Sequence, residues 1–253
     1  MTDLERHNQR EIDGLNQRGG RMLSLVDLVD AGTLSLDMAA EMACVAAGGG
    51  SFLTAAGPGG VGKTTLMGAL LAFLARGTEI VTVEGPDTLE HLPLPSTETP
   101  TCLVVHEIGA GHWYGYLWGP AVGRYVDAAR APGRSLASNL HAKTYEAAAD
   151  QLAGLGVSAD GLGTVDLLAF MAAPRGKRRV TSVWYGDGGG GHACAWQWLP
   201  QHDRFEHVAD APDAAHEADR ARYRQFLERA QADGVRRMEA LRARALTELF
   251  PEG

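Results

Sequence analysis

The sequence predicts an α/β fold in which a mostly parallel central sheet carries an antiparallel hairpin or meander and a C-terminal helical segment. Three observations support it. Short apolar-rich runs of strand length recur at residues 51–56, 79–84 and 101–105, as expected for strands buried on both faces. Stretches with apolar residues at helical spacing separate these runs. A glycine-rich loop of the pattern G-x-x-x-x-G-K-[ST] joins the first run to the helix that follows it.

Composition limits the class of protein. With 253 residues, 45% apolar and 21% charged, the chain suits one α/β domain with small additions. The formal net charge of −8 disfavours direct nucleic-acid binding through a basic face. Cys44, Cys102 and Cys194 form no C-x-x-C pair, which predicts reduced thiols and no structural zinc. The polar N-terminus and the short apolar runs predict a cytoplasmic protein that is at most peripheral to the inner face of the membrane.

Residues 1–50 are predicted to be a helical lead-in. The first 20 residues are polar and predict a loose or partner-dependent helix. A short amphipathic helix is expected to end at Gly32, and Ser35 is expected to cap a second helix that runs to about Ala47. Three glycines, residues 48–50, separate that helix from the first strand.

The glycine-rich loop is the strongest functional signal. The nine residues expected to contact a nucleotide are Gly57, Pro58, Gly59, Gly60, Val61, Gly62, Lys63, Thr64 and Thr65. The glycines permit positive φ angles, so that backbone N–H groups can surround an anion at the start of the next helix. In this pattern the lysine reaches the β- and γ-phosphates, and the Thr64 hydroxyl is placed to bind Mg²⁺. The loop therefore predicts binding of a nucleoside triphosphate with magnesium.

Polar side chains follow three further strands. Glu84 closes the run 79–84, Glu107 comes after His106 at the end of 101–105, and His141 ends a fourth run at 135–141 together with Asn139. Ligands of open α/β sheets bind at the carboxyl edge, so we expect these groups to converge on the glycine-rich loop. Phosphoryl transfer to water needs a carboxylate for Mg²⁺ or the attacking water, which Glu107 fits. Glu84 would take whichever of these tasks Glu107 does not, and His141 would contact the γ-phosphate.

Several segments after residue 108 have less certain tasks. Residues 109–122 interleave aromatic residues with glycines, which fits either a loop covering the core or an exposed patch for a subunit or partner. Strands at 165–171, 180–184 and 193–198 predict the antiparallel addition. The basic turn 175–179 between the first two fits a solvated hairpin tip or a contact to phosphate or lipid. Residues 51–210 would form the core, and 211–253 the C-terminal helices, with a helical pattern over 214–250 that is interrupted at Gly234.

The order of these motifs resembles the ATPase domain of the type II/type IV secretion ATPases, the hexameric motors of secretion, conjugation and type IV pili. That family carries a P-loop, an Asp box, a Walker B motif and a His box. The segments similar to them here are 57–65, 80–86, 103–107 and 138–142, and the resemblance covers roughly residues 22–245. It implies a RecA-like P-loop fold, ATP and Mg²⁺ as ligands, a homo-oligomeric ring, and membrane-platform proteins of a secretion or pilus machine as partners. The implied catalytic residues are Lys63, Glu84, Glu107 and His141, with Thr64 and Glu107 at the metal.

Some positions depart from the family pattern. Gly85 stands where the Asp box has its aspartate, and His106 precedes Glu107 where a glycine is usual. We expect no counterpart of the family's N-terminal domain, which helps to supply arginines across subunits; Arg76 and Arg124 are the nearest substitutes. These departures keep a second hypothesis open: a degenerate nucleotide-binding module that oligomerises or docks on a secretion or pilus partner, with weak or no hydrolysis. A P-loop kinase of a small molecule is disfavoured because no acceptor-binding lid is evident.

Overall fold

The computed structural model describes residues 2–16, 19–57, 59–111, 113–209 and 217–251. Within these residues the strands form one mixed sheet. Its nine strands within those residues are β1 (Phe52–Ala55), β2 (Glu79–Thr82), β3 (Thr101–Ile108), β4 (Tyr116–Leu117), β5 (Arg134–Leu140), β6 (Leu167–Ala172), β7 (Arg179–Gly186), β8 (His192–Leu199) and β9 (Arg204–His207). The strand order is β2-β3-β5-β1-β6-β7-β8-β9, and β4 pairs with the end of β3. Strands β2, β3, β5, β1 and β6 are parallel, and β7 to β9 are antiparallel. The predicted α/β fold with a mostly parallel sheet is confirmed; its RecA-like assignment stays a prediction.

Helices cover both faces of the sheet. They are α1 (Asp3–Gly14), α2 (Leu25–Asp30), α3 (Leu36–Ala47), α4 (Lys63–Leu71), α5 (Pro86–Glu90), α6 (Ala121–Ala129), α7 (Tyr145–Gly154), α8 (Ala159–Leu162), α9 (Glu217–Ala232) and α10 (Met238–Glu248). The lead-in and C-terminal helices pack with α4 on one face, and α6, α7 and α8 pack on the other. Adjacent residues of β1 serve the two layers, because strand side chains alternate between faces: Phe52 belongs to the first core and Leu53 to the second.

The N-terminal helix α1 is better anchored than its polar sequence suggested. The Asn8 side chain donates to the carbonyl of Thr78 (2.8 Å) and accepts from the N–H of Ile80 (2.9 Å). A side-chain amide thus pairs with the free edge of β2 as another strand would. Ile12, one turn further on, is buried against α4. The expectation of a loose helix was wrong, because the tertiary contact to an unpaired sheet edge compensates for the weak local apolar pattern.

Helix ends follow the predicted signals where those signals are local. The Ser35 hydroxyl accepts from the N–H of Met38 (3.1 Å) at the start of α3, as expected for an N-cap. The C-terminal helical pattern divides into α9 and α10 at Gly234, whose φ is +72°. The predicted start of that pattern, residue 214, lies outside the described residues. The boundaries 1–50, 51–210 and 211–253 stay predictions, although helices of the first and last segments share one core with the sheet.

Among the described residues, no helix combines the length and the apolar character needed to cross a bilayer.

Candidate functional site

The phosphate-binding pattern forms the turn between β1 and α4. Lys63 is the first residue of α4, and Gly62 before it has a φ of +107°. Gly60 has a φ of +82°, so the expectation of positive φ holds at these two glycines. Gly57 does not adopt positive φ. Pro58 lies outside the described residues. The loop therefore presents the N-terminal end of α4, with its free N–H groups and positive dipole end, at the carboxyl edge of the sheet.

Three ionisable side chains meet at this helix end. The Nζ atom of Lys63 lies 3.5 Å from Oε1 of Glu107 and 3.4 Å from Nδ1 of His141. Nε2 of His141 lies 3.6 Å from the same carboxylate oxygen, and its Nδ1 lies 3.3 Å from the carbonyl oxygen of Gly57. Lys63 and Glu107 are both buried, whereas the His141 side chain is 45% exposed. The structure thus brings these three predicted site residues together in an open cleft of about 240 Å³.

A β-bulge in β3 brings Glu107 to this cleft. Between the pairs Val105–Ser138 and Ile108–Leu140, β3 has two residues where β5 has one. The N–H groups of His106 and Glu107 both point to the carbonyl of Gly115, at 2.7 and 3.4 Å. A bulge places an extra residue on one strand and changes where its side chains point. As a result both bulge side chains line the cleft, whereas strict alternation would send them to opposite faces.

Asn139 connects the elements around the cleft. Its side chain is fully buried on β5 and accepts from the hydroxyl of Thr54 (2.5 Å). It donates to the carbonyl of His106 in the bulge (2.6 Å) and to the hydroxyl oxygen of Thr64 (3.2 Å). The sequence indicated Asn139 as a polar residue near a strand end but gave it no task. The available signal was a buried amide in a strand, which needs partners for both ends.

Glu84, the second predicted carboxylate, lies elsewhere. It is exposed, and its Oε1 accepts from the hydroxyl of Tyr114 (3.2 Å). Glu84 follows β2, which is separated from β1 by β5 and β3. Three interstrand spacings of about 4.8 Å place those two strand ends roughly 14 Å apart. The structure therefore does not bring Glu84 to Lys63, whereas Glu107 on the nearer β3 reaches it.

The two arginines named from the sequence, Arg76 and Arg124, have interaction partners that lie outside the glycine-rich loop. Arg76 donates to the carbonyls of Phe250 (2.9 Å) and Leu246 (2.8 Å) at the end of α10. Arg124 pairs on the surface with Glu90 at 3.4 Å. Neither belongs to the residues that line the cleft in the described part of the chain.

A different arginine, in the basic turn before β7, lies at the cleft. The exposed Arg178 lines it, and its Cδ lies 3.3 Å from the position that a Cβ on Gly62 would occupy. The next residue, Arg179, is buried and forms a two-point ion pair with Asp203 at 2.8 and 2.9 Å. Of the two interpretations of this turn, the position of Arg178 favours contact with a phosphate.

The electrostatics of the cluster are dominated by burial. Desolvation raises the pKa of Glu107, and the nearby Lys63 and His141 act in the opposite direction. Its Oε1 is buried and has no hydrogen-bond partner among the described residues, and such an atom needs a ligand or a reason. Burial also lowers the pKa of His106, which keeps its ring neutral at neutral pH.

These groups fit a nucleotide-bound magnesium ion better than a metal held by protein alone. No cluster of three or more histidine, cysteine or acidic side chains suited to a metal occurs among the described residues. The Thr64 hydroxyl accepts from Asn139, which leaves lone-pair capacity for a cation. Oε1 of Glu107, which forms ion-pair contacts but no hydrogen bond with the described residues, is a hard oxygen ligand of the kind Mg²⁺ prefers, and Mg²⁺ commonly binds one or two protein oxygens together with phosphates.

The aromatic segment after β3 divides between the two predicted roles. Leu117, in β4, is buried against the sheet. Trp113, Tyr114 and Trp118 are 64%, 53% and 47% exposed. Ala121 and Val122 are buried in the same core, so the segment both covers the core and presents three aromatic side chains to solvent.

Comparison with known proteins gives only distant likenesses, all of them among solved structures. No family model matches the chain, and no similar protein is found among curated proteins. Among solved structures, the chain is similar to the VirB11 ATPase from the Brucella suis type IV secretion system, in complex with sulphate, with 19% identity and a TM-score of 0.43. The similarity covers 75% of this chain and 64% of that one.

Proposed function

We propose that this chain binds Mg·ATP and hydrolyses it, as a motor ATPase of the secretion, conjugation and type IV pilus class. The observation that carries the proposal is the meeting of Lys63, Glu107 and His141 within 3.4–3.6 Å at the first residue of α4. A lysine, a carboxylate and an imidazole at a helix N-terminus supply the groups that phosphoryl transfer to water requires.

Each residue has a defined task in this proposal. The N–H groups of the loop and Lys63 hold the β- and γ-phosphates, and His141 contacts the γ-phosphate. Thr64 and Glu107 are the residues that would hold Mg²⁺, and Glu107 could alternatively orient the attacking water. The ion, when bound, neutralises charge that develops on the phosphate oxygens. Asn139 positions Thr64 and the bulge, so that the metal-binding and water-orienting groups keep a fixed separation.

The order of the sequence motifs also supports a proposed oligomeric state, proposed partners and a proposed location in the cell. A homo-oligomeric ring, docking to membrane-platform proteins and action at the cytoplasmic face follow from the resemblance described above. The exposed aromatic side chains of residues 113–118 are compatible with a subunit or partner contact.

One observation favours the second candidate, a nucleotide-binding module with weak or no hydrolysis. Because Glu84 lies at β2 and contacts Tyr114, the described cleft contains one carboxylate where the sequence predicted two. A single carboxylate that is already near Lys63 is sufficient for metal binding, but it leaves no second acid to orient water. We therefore expect turnover to be slow relative to binding.

Binding and turnover separate the two candidates. ATP affinity measured by calorimetry with Mg²⁺, and phosphate release at steady state, should both be lost in Lys63→Ala and retained in Lys177→Ala. Lys177 is the control because it is a lysine outside the residues that line the cleft, with its Nζ 4.0 Å from Asp203. Binding that depends on Lys63 without phosphate release would support the module. Absence of ATP binding by the unmodified protein would contradict both candidates.

A further inference from the structure

A second lysine lies across the phosphate-binding loop. A Cβ built on Gly57 would lie 2.4 Å from Cγ, 3.0 Å from Cδ and 2.5 Å from Cε of Lys143. The methylene chain of Lys143 therefore runs directly over the first glycine of the loop. Gly57 does not adopt positive φ, and the Lys143 stem occupies the space that a side chain at position 57 would take.

The strand β5 explains how Lys143 comes to lie there. After Leu140 the chain alternates, with His141 exposed, Ala142 buried and Lys143 exposed. This alternation of exposure places His141 and Lys143 on the same side of the chain. Both side chains accordingly converge on Gly57: His141 lies 3.3 Å from its carbonyl oxygen, and Lys143 packs over its Cα.

The charge of Lys143 is not used elsewhere in the described part of the chain. None of the described carboxylates forms an ion pair with its ammonium group, in contrast to Lys63, which lies beside Glu107. The residue as a whole is exposed, although its methylene chain packs over Gly57. An anion bound at the loop would therefore be the first partner of this charge.

We propose that Lys143 is a further phosphate-binding residue, which contacts the terminal phosphate of the bound nucleotide on the side of the loop where His141 lies. This inference rests on the proposed nucleotide binding at the same loop. It adds a cation supplied within the same chain, from the segment that follows β5. A site that holds the terminal phosphate with Lys63 and Lys143 depends less on an arginine from a neighbouring subunit.

The first test is binding by the full chain. In Lys143→Gln, which keeps most of the stem, affinity for the β,γ-imido analogue of ATP with Mg²⁺ should fall about tenfold. Affinity for ADP should change less than about twofold, because ADP lacks the terminal phosphate. Lys143→Arg should retain the affinity for the analogue, and Lys177→Gln should behave as the unmodified protein. Thermal melting of each variant verifies folding.

The second test uses the small number of lysines. The sequence has lysine only at positions 63, 143 and 177, and of these Lys143 and Lys177 are exposed. The ATP analogue should protect Lys143, but not Lys177, from an amine-reactive reagent, as measured by mass spectrometry of peptides.

Three results would overturn the assignment. They are unchanged affinity in Lys143→Gln, an equal loss for ADP and the analogue, or labelling of Lys143 that the nucleotide does not alter. In each of these cases the unmodified protein still binds the analogue, so the proposed function stands. If the unmodified protein binds neither nucleotide, the proposed function and this inference fail together.

Discussion

Replacing Asn139 by alanine should destabilise the protein and weaken Mg·ATP binding at the same time. The fully buried amide makes three hydrogen bonds, to the hydroxyl of Thr54, the carbonyl of His106 and the hydroxyl oxygen of Thr64. At a net value of about 1 kcal/mol each, their loss lowers the free energy of unfolding by about 3 kcal/mol. In a chain of this length each kcal/mol shifts Tm by about 2–4 °C, so we expect a fall of roughly 6–12 °C.

The neighbouring Ser138 provides the control. It is equally buried, but its hydroxyl donates one hydrogen bond, to the carbonyl of Asn139 at 3.2 Å. Ser138→Ala should therefore lower the free energy of unfolding by about 1 kcal/mol or less, with no change in nucleotide affinity.

Denaturant unfolding measures the stability of both variants, and calorimetry with Mg·ATP and with ATP in chelator measures binding. In Asn139→Ala we expect the magnesium-dependent part of the affinity to fall by about tenfold, because Thr64 loses the group that orients its hydroxyl. The reasoning is refuted if Asn139→Ala is no less stable than Ser138→Ala, or if its affinity falls equally with and without magnesium.

Two further predictions concern Arg178 and the ion pair between its neighbour Arg179 and Asp203. Arg178→Gln should weaken Mg·ATP binding about fivefold with an unchanged Tm, because this exposed side chain lies against Gly62 at the cleft. Lys177→Gln should change neither the affinity nor the Tm. Equal losses of affinity in the two variants, measured by titration calorimetry, would contradict the assignment. Asp203→Asn should instead alter stability and its pH dependence. Arg179 holds the pKa of Asp203 at about 2, below its ordinary value of 3.8, so the ion pair stabilises the fold above pH 3.8 and this contribution is lost as the pH falls toward 2. Thermal melts between pH 2 and 6 should show a steeper loss of Tm in the unmodified protein than in Asp203→Asn; parallel curves would show that the pair does not contribute.

The sequence alone determined the features that depend on local pattern. Apolar runs, glycine positions and the G-x-x-x-x-G-K-[ST] spacing predicted the strand, loop and helix that place Lys63 at the start of α4. The meander after β6 was predicted for the same reason, since alternation and turn residues are properties of neighbouring residues. The Ser35 cap and the break at Gly234 are also local, and both occur as predicted.

Only the tertiary structure decided which polar residues share the cleft. Glu84 and Glu107 both come at the ends of apolar runs. The strand order places the strand of Glu84 three interstrand spacings from β1, and the strand of Glu107 two spacings from β1. The bulge in β3 depends on its register with β5, and it directs His106 and Glu107 to the same side. The separate tasks of Arg178 and Arg179 likewise depend on which segments pack beside them. Strand order, register and packing arise from contacts between residues that are far apart in the chain, and no local pattern specifies them.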